Sequence, residues 1–188
     1  MHAWWQENLD LFREYHMHAD HLRTVDISSV HLRNGIREAF EFFDRSHIPL
    51  LILSAGIHQT IEMILDQEKL PETHRTIIAN TLLFDREKQY AGVAPKEFIH
   101  VGNKEKQVLQ KIQTIPSTEK RDKVILLGDH LKDITMIQAE EREHTIAIGF
   151  CNSINMHAFE TYLTTFDIVV TSDTSDAGIL AYLIDHIH

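Results

Sequence analysis

Lys123-Val124-Ile125-Leu126-Leu127-Gly128-Asp129-His130-Leu131-Lys132-Asp133 is the stretch from which the fold class follows. Its unbroken apolar run reads as a strand buried on both faces, as in a parallel sheet, rather than as an alternating half-exposed strand. The run stops at Gly128-Asp129, and Asp133 follows as an apolar-periodic segment begins, which predicts a helix from about 133 to 139. A strand that ends in acid and turns into a helix sets two carboxylates at the carboxyl edge of the sheet, where open α/β folds bind ligands. Two hard oxygen donors there suit Mg²⁺, which binds through one or two carboxylates together with water and substrate phosphate. A plainer reading stands beside this one: Asp129 caps the helix and Asp133 is a solvated first-turn acid.

Working outward, strand and helix signals alternate. Residues 33–46 carry Ile36, Ala39, Phe40 and Phe43 on one helical face. Ile48-Pro49-Leu50-Leu51-Ile52-Leu53-Ser54 reads as a buried strand with its proline at the start, where a missing N–H is tolerated. A helix is expected over 59–70, a strand over 75–79, and a hairpin over 82–93 turning at Asp85-Arg86-Glu87. Further helices are expected over 104–114, 155–165 and 176–187, and strands over 145–150 and 167–171. This rhythm implies βαβ units, right-handed crossovers and a mostly parallel sheet. The first thirty or so residues depart from it and read as helices. The expected architecture is therefore α/β: a three-layer α/β/α core over 33–188 with a partial helical cap over 1–32.

Composition narrows the function classes. The net charge of −10 argues against a broad nucleic-acid or anionic-membrane surface, although local cations or a metal still permit a phosphorylated small molecule. The single cysteine, Cys151, excludes an internal disulfide and fits a reducing, cytoplasmic setting. The first residues lack a signal-peptide pattern, and no apolar run approaches the ~20 residues that span a bilayer.

Two more strand ends carry chemistry. Ser54-Ala55-Gly56, at the end of a buried strand and before a helix, offers a hydroxyl and free backbone N–H groups to an anion; as an alternative, Ser54 is simply the helix cap. Val101-Gly102-Asn103-Lys104 places a lysine at a helix start, suited to offset charge on a phosphoryl group if it lies near the other two elements.

In this order, Ser54, Lys104 and Gly128-Asp129-His130-Leu131-Lys132-Asp133 resemble the haloacid-dehalogenase-like phosphohydrolases. With the Phe84-Asp85 hairpin, Phe98-Ile99-His100-Val101-Gly102-Asn103-Lys104, Phe166-Asp167-Ile168-Val169-Val170 and the Trp4-Trp5 pair, the chain resembles the cytosolic 5′-nucleotidase III (pyrimidine 5′-nucleotidase) branch over nearly its whole length. The resemblance implies Mg²⁺-dependent hydrolysis of nucleoside 5′-monophosphates. It implies that Ser54, Ala55 and Gly56 hold phosphate with Lys104, that Lys104 stabilises charge, that Asp129 ligates the metal, and that Asp133 supports the metal site. Another phosphorylated metabolite as substrate, or nucleotide binding without catalysis, are the alternatives.

The chain departs from the family at one point. That chemistry uses an Asp-x-Asp pair at the end of an early strand, the first aspartate attacking phosphorus. No Asp-x-Asp occurs here; the nearest pairs are Asp66-x-Glu68 and Asp85-x-Glu87, neither after a buried run. The expectation is a sequence that starts within the cap, downstream of that strand, and that has no nucleotidase turnover of its own. The resemblance further implies that the strand belongs between those ending at Ser54 and Asp129. Of the remaining features, Trp4 or Trp5 can stack on a base, with at least one expected in the core. Asn8 stands where the family tends to carry a small hydroxyl residue. His16, His18 and His21 beside Asp20 read as a solvated helix face rather than a metal site. His130, between the two aspartates, has no assigned role.

Overall fold

The computed structural model describes residues 2–107, 123–152 and 155–171. The expected helix over 176–187, and the part of the 104–114 helix beyond 107, lie outside the described residues. Among the described residues the strands form two three-stranded sheets. In the first, β1 (Leu50–Ile57) runs parallel to β2 (Arg75–Phe84) through the crossover helix α4 (His58–Gln67), and β2 turns back antiparallel onto β3 (Tyr90–Ala94). In the second, β4 (Val124–Gly128), β5 (Thr145–Phe150) and β6 (Ile168–Val170) are parallel, with helix α5 (Met156–Thr165) crossing from β5 to β6. Before these elements come α1 (His2–Glu14), α2 (Ala19–Leu22) and α3 (Ile36–Arg45).

The second sheet justifies the apolar runs. Ile148, Phe150 and Val170 pack on one side with Ile125 and Leu127, while Leu126, Ala147 and Phe166 pack on the other. The second of these faces is covered by Leu131, Ile134, Met136 and Tyr162 from the segments that follow β4 and β5. Gly149 is dictated by that packing, because a Cβ there would stand 2.4 Å from the Phe166 ring. Strands β1 and β4 are each the outer strand of their sheet, and among the described residues no strand pairs with their second edges.

The N-terminal helices join the first sheet. Trp5, Leu9 and Leu22 form one core cluster with Leu82 and Phe98, and Trp5 stacks on Phe98 at 6.1 Å between ring centroids. Trp4 stands 57% exposed, edge-on to Trp5, so one tryptophan of the pair is core and the other faces solvent. The hairpin turn is tied to the same region: the Ala19 N–H donates to the Lys88 carbonyl (2.9 Å), and the Tyr90 N–H donates to the Met17 carbonyl (2.8 Å). His18 and His21 cap α2: the His18 ring accepts from the Asp20 N–H (3.2 Å), and the His21 ring from the His18 N–H (3.1 Å). Among the described residues no cluster of three or more His, Cys, Asp or Glu side chains is arranged to hold a metal.

Several boundaries differ from expectation. The strand expected to end at 79 continues to Phe84 and supplies half the hairpin itself. The helix expected over 133–139 is instead two 3₁₀ segments, Leu131–Met136 and Ala139–His144, with Ile137 extended between them. The cause is Asp133. Its carboxylate folds back to take the N–H groups at the start of the segment, a tight closure that favours i→i+3 bonding such as Ile137 N–H to Ile134 carbonyl at 3.2 Å.

Candidate active site

At the end of β4, Asp133 is 2% exposed although it is an acid. A buried charge persists only when paired and hydrogen-bonded. One oxygen, Oδ1, accepts from the Lys104 Nζ at 2.7 Å, and the other, Oδ2, accepts the N–H groups of Asp129 at 3.1 Å and His130 at 3.0 Å. The Lys104 side chain is 12% exposed, so the pair is largely shielded from water. Gly128 is required by this arrangement, because a Cβ there would meet the Asp133 Cβ at 2.7 Å. Asp129 itself is exposed, and its carboxylate takes no hydrogen bond from the described residues. Its backbone is held by the Tyr162 hydroxyl, which donates to the Asp129 carbonyl at 2.6 Å. Partial burial, followed by the negative groups of Cys151, Asp129 and Asp133, keeps that phenol protonated to above the usual tyrosine range. The His130 ring accepts the Lys132 N–H at 3.0 Å and so belongs to the turn.

Ser54, Ala55 and Gly56 do not end β1 but bulge out of it. The register passes from Leu53↔Ile78 to Ile57↔Asn80, so the three residues stand opposite the single Ala79. Such irregularities re-aim side chains next to sites. The Ser54 hydroxyl accepts the Gly56 N–H at 3.0 Å, and a Cβ at 56 would crowd it at 3.2 Å. Ser54 makes no described hydrogen bond to Lys104 or Asp129; the sites are linked through other residues.

That link was not legible in the sequence. Asn80, in the middle of β2, is fully buried. Its Nδ2 donates to the carbonyls of Ala55 (2.9 Å) and Ile99 (3.0 Å), and its Oδ1 accepts the Ile99 N–H at 2.9 Å. Asn103 then braces the next turn, donating to the Phe98 carbonyl at 2.7 Å and accepting the His100 N–H at 2.8 Å, just before Lys104. Gln59 adds a paired contact from α4 to the backbone of Leu82 (2.7 and 3.1 Å). A lone asparagine among Ile77, Ile78, Ala79 and Leu82 is the one sequence signal that marked the first of these. A separate hollow between α1 and the hairpin, lined by Phe12, Arg13, His16, Met17, Gln89 and Tyr90, includes none of these groups.

The residues present fit a hard divalent cation through a single carboxylate. Asp129 offers surface oxygens that take no hydrogen bond among the described residues, whereas Asp133 beneath it has its oxygens engaged by Lys104 and two amides. The Lys104–Asp133 pair with Asp129 beside it lies at the carboxyl end of β4, the edge where open α/β folds bind ligands, and the fold is of the haloacid-dehalogenase type. The crystal structure of cytosolic 5′-nucleotidase IIIB bound to cytidine is similar at a TM-score of 0.69 and 28% identity, covering 82% of this chain and 52% of that one. A phosphoserine phosphohydrolase-like protein from Francisella tularensis shares the fold at a TM-score of 0.53 and 18% identity, covering 81% of this chain and 63% of that one.

The chain belongs to the pyrimidine 5′-nucleotidase (UMPH-1) family, whose profile matches residues 1–188. Among curated relatives it is 33% identical to 7-methylguanosine phosphate-specific 5′-nucleotidase A of Xenopus laevis, over 97% of this chain and 64% of that protein. It is 28% identical to the human 7-methylguanosine phosphate-specific 5′-nucleotidase, over 100% of this chain and 62% of that protein. The chain thus spans a little under two thirds of the length of these relatives.

Proposed function

We propose that residues 33–188, with the helices of 1–32 as a partial cap, form the phosphate- and metal-binding part of a 5′-nucleotidase site acting on nucleoside 5′-monophosphates. The observation that carries this reading is the buried Lys104–Asp133 pair at 2.7 Å, with the exposed Asp129 carboxylate beside it at the end of β4. In it, the Ser54 hydroxyl, held in place by the Gly56 N–H, and the backbone N–H of Ala55 bind phosphate oxygens. The Lys104 ammonium, held by Asp133, offsets their charge. Asp129 supplies the oxygen ligand for Mg²⁺, and Asp133 holds the turn that presents it. When bound, Mg²⁺ would supply charge neutralisation at the phosphoryl oxygens. Hydrolysis in this class also needs a carboxylate nucleophile, and no Asp-x-Asp stands among these 188 residues. The edges of β1 and β4, unpaired among the described residues, support a place for such a strand between them. The 188 residues by themselves are therefore proposed to bind without turnover, in a cytoplasmic setting.

The test is phosphate release from CMP, UMP, 7-methyl-GMP and non-nucleotide phosphomonoesters by the purified chain with Mg²⁺, alongside calorimetric binding of the same compounds. Binding of nucleotides without release is expected. Turnover abolished by Asp129→Ala would overturn the proposed lack of catalysis, and absence of any nucleotide binding would overturn the site.

A further inference from the structure

Asn80 makes more contacts than a core residue of its size needs. Both amide protons and the carbonyl oxygen are used, each on backbone, and on two segments distant in sequence. One segment is the Ser54–Gly56 bulge; the other is the loop that, through Asn103, leads into Lys104 and so to Asp133 and Asp129. Asn80 and Ile99 are both fully buried, so water does not compete for the two bonds between them, and the Ala55 carbonyl is half-buried. The surrounding strand would be satisfied by an apolar residue at this position. What an apolar residue would lose is the fixed relation between the two loops.

We propose that Asn80 is a positioning residue: it sets the Ser54 bulge and the Lys104 loop in one register, so that hydroxyl and ammonium bear on the same phosphate. This rests on the phosphate reading above. Placement errors of an ångström are costly for groups that must converge on one ligand.

Two variants test it. Asn80→Asp keeps the acceptor for the Ile99 N–H but turns both donated bonds into repulsion against carbonyls. On protonation the acid regains one donor, and its pKa is raised by that buried setting. Asn80→Ser removes the bracket without introducing a charge, and serves if the aspartate variant fails to fold. Each is titrated calorimetrically with inorganic phosphate and with CMP in Mg²⁺, below its melting temperature, with and without Ser54→Ala. Binding weaker by about tenfold or more is expected from the loss of two buried hydrogen bonds. In the Asn80→Ser background, Ser54→Ala should then cost little, because the hydroxyl is already misplaced; a purely structural asparagine would leave the effect of Ser54→Ala intact. The deficit of Asn80→Asp relative to wild type at the same pH should shrink as pH falls. Amide hydrogen exchange should quicken together at 54–57 and 98–104, with 124–128 and 145–150 unchanged. Wild-type binding with unaltered affinity in both variants, or additive effects of Ser54→Ala, overturns the proposal alone. A wild-type chain that binds no phosphate sinks the functional reading and this proposal together, and the exchange pattern then reports separately whether the bracket exists.

Discussion

Replacing Lys104 by methionine should be among the most damaging single changes in the chain. The side chains fit roughly in volume, so the effect is electrostatic. It leaves Asp133, 2% exposed, with a charge and no counterion. Removing one partner of a buried pair costs about 3–5 kcal/mol. The lower end applies here, because Asp133 keeps its bonds from the Asp129 and His130 N–H groups at 3.1 and 3.0 Å. For a chain of this size, about 3 kcal/mol lowers the melting temperature by roughly 6–12 °C. Urea unfolding followed by circular dichroism would read it as a lower midpoint with unchanged slope. The double variant Lys104→Met, Asp133→Asn removes the stranded charge and should recover at least half of the loss, while Asp133→Asn alone leaves a lysine buried without its partner. A loss below about 0.5 kcal/mol for Lys104→Met, typical of an exposed pair, would refute the argument that the pair is shielded and essential to the loop.

Other changes follow from the same geometry. Trp5→Ala removes a ring stacked on Phe98 in the core and should cost about 3–5 kcal/mol, whereas Trp4→Ala, at a 57% exposed site, should stay within about 0.5 kcal/mol by the same unfolding measurement. Gly128→Ala drives a methyl to 2.7 Å from the Asp133 Cβ and should cost about 1–3 kcal/mol, weakening phosphate binding along with stability. The Arg142 guanidinium, 2.7 Å from Asp167, together with the Ala147 N–H, holds that carboxyl below its ordinary range against the opposing effect of partial burial. A depressed folded-state pKa gives stability that is present above the unfolded value and lost as pH falls through the folded one. The stability difference between wild type and Asp167→Asn should accordingly be constant near neutrality and shrink on acidification below the ordinary carboxylate range.

The strands were legible because their side chains are apolar on both faces, as at Leu50–Leu53 and Val124–Leu127, although β1 is half-buried throughout and only Leu126 and Gly128 of β4 are buried. Trp5 and Phe98 were not legible as partners, since stacking depends on where α1 lands. The turn after β4 reads as a helix in the sequence because periodicity carries no information about a side chain that folds back on its own backbone, as Asp133 does. The bulge at Ser54 was equally hidden, because it is a property of pairing with β2 and not of the serine. Order along the chain was the stronger guide to the site: Lys104 and Asp133 are far apart in sequence, and only their places at a loop and a strand end placed them in contact. Asn80 was not legible because the polar residue reads as the end of the strand over 75–79, whereas β2 runs on through it to Phe84.

The central claim is that Asp129, Lys104 and the Ser54 bulge form one Mg²⁺-phosphate site. It is tested most directly by titrating the chain with CMP in the presence and absence of Mg²⁺, for wild type and Asp129→Ala. The account predicts Mg²⁺-enhanced binding in wild type and no enhancement in the variant, whose fold should be intact because the Asp129 carboxylate makes no described hydrogen bond. Equal enhancement by Mg²⁺ in both proteins would contradict it.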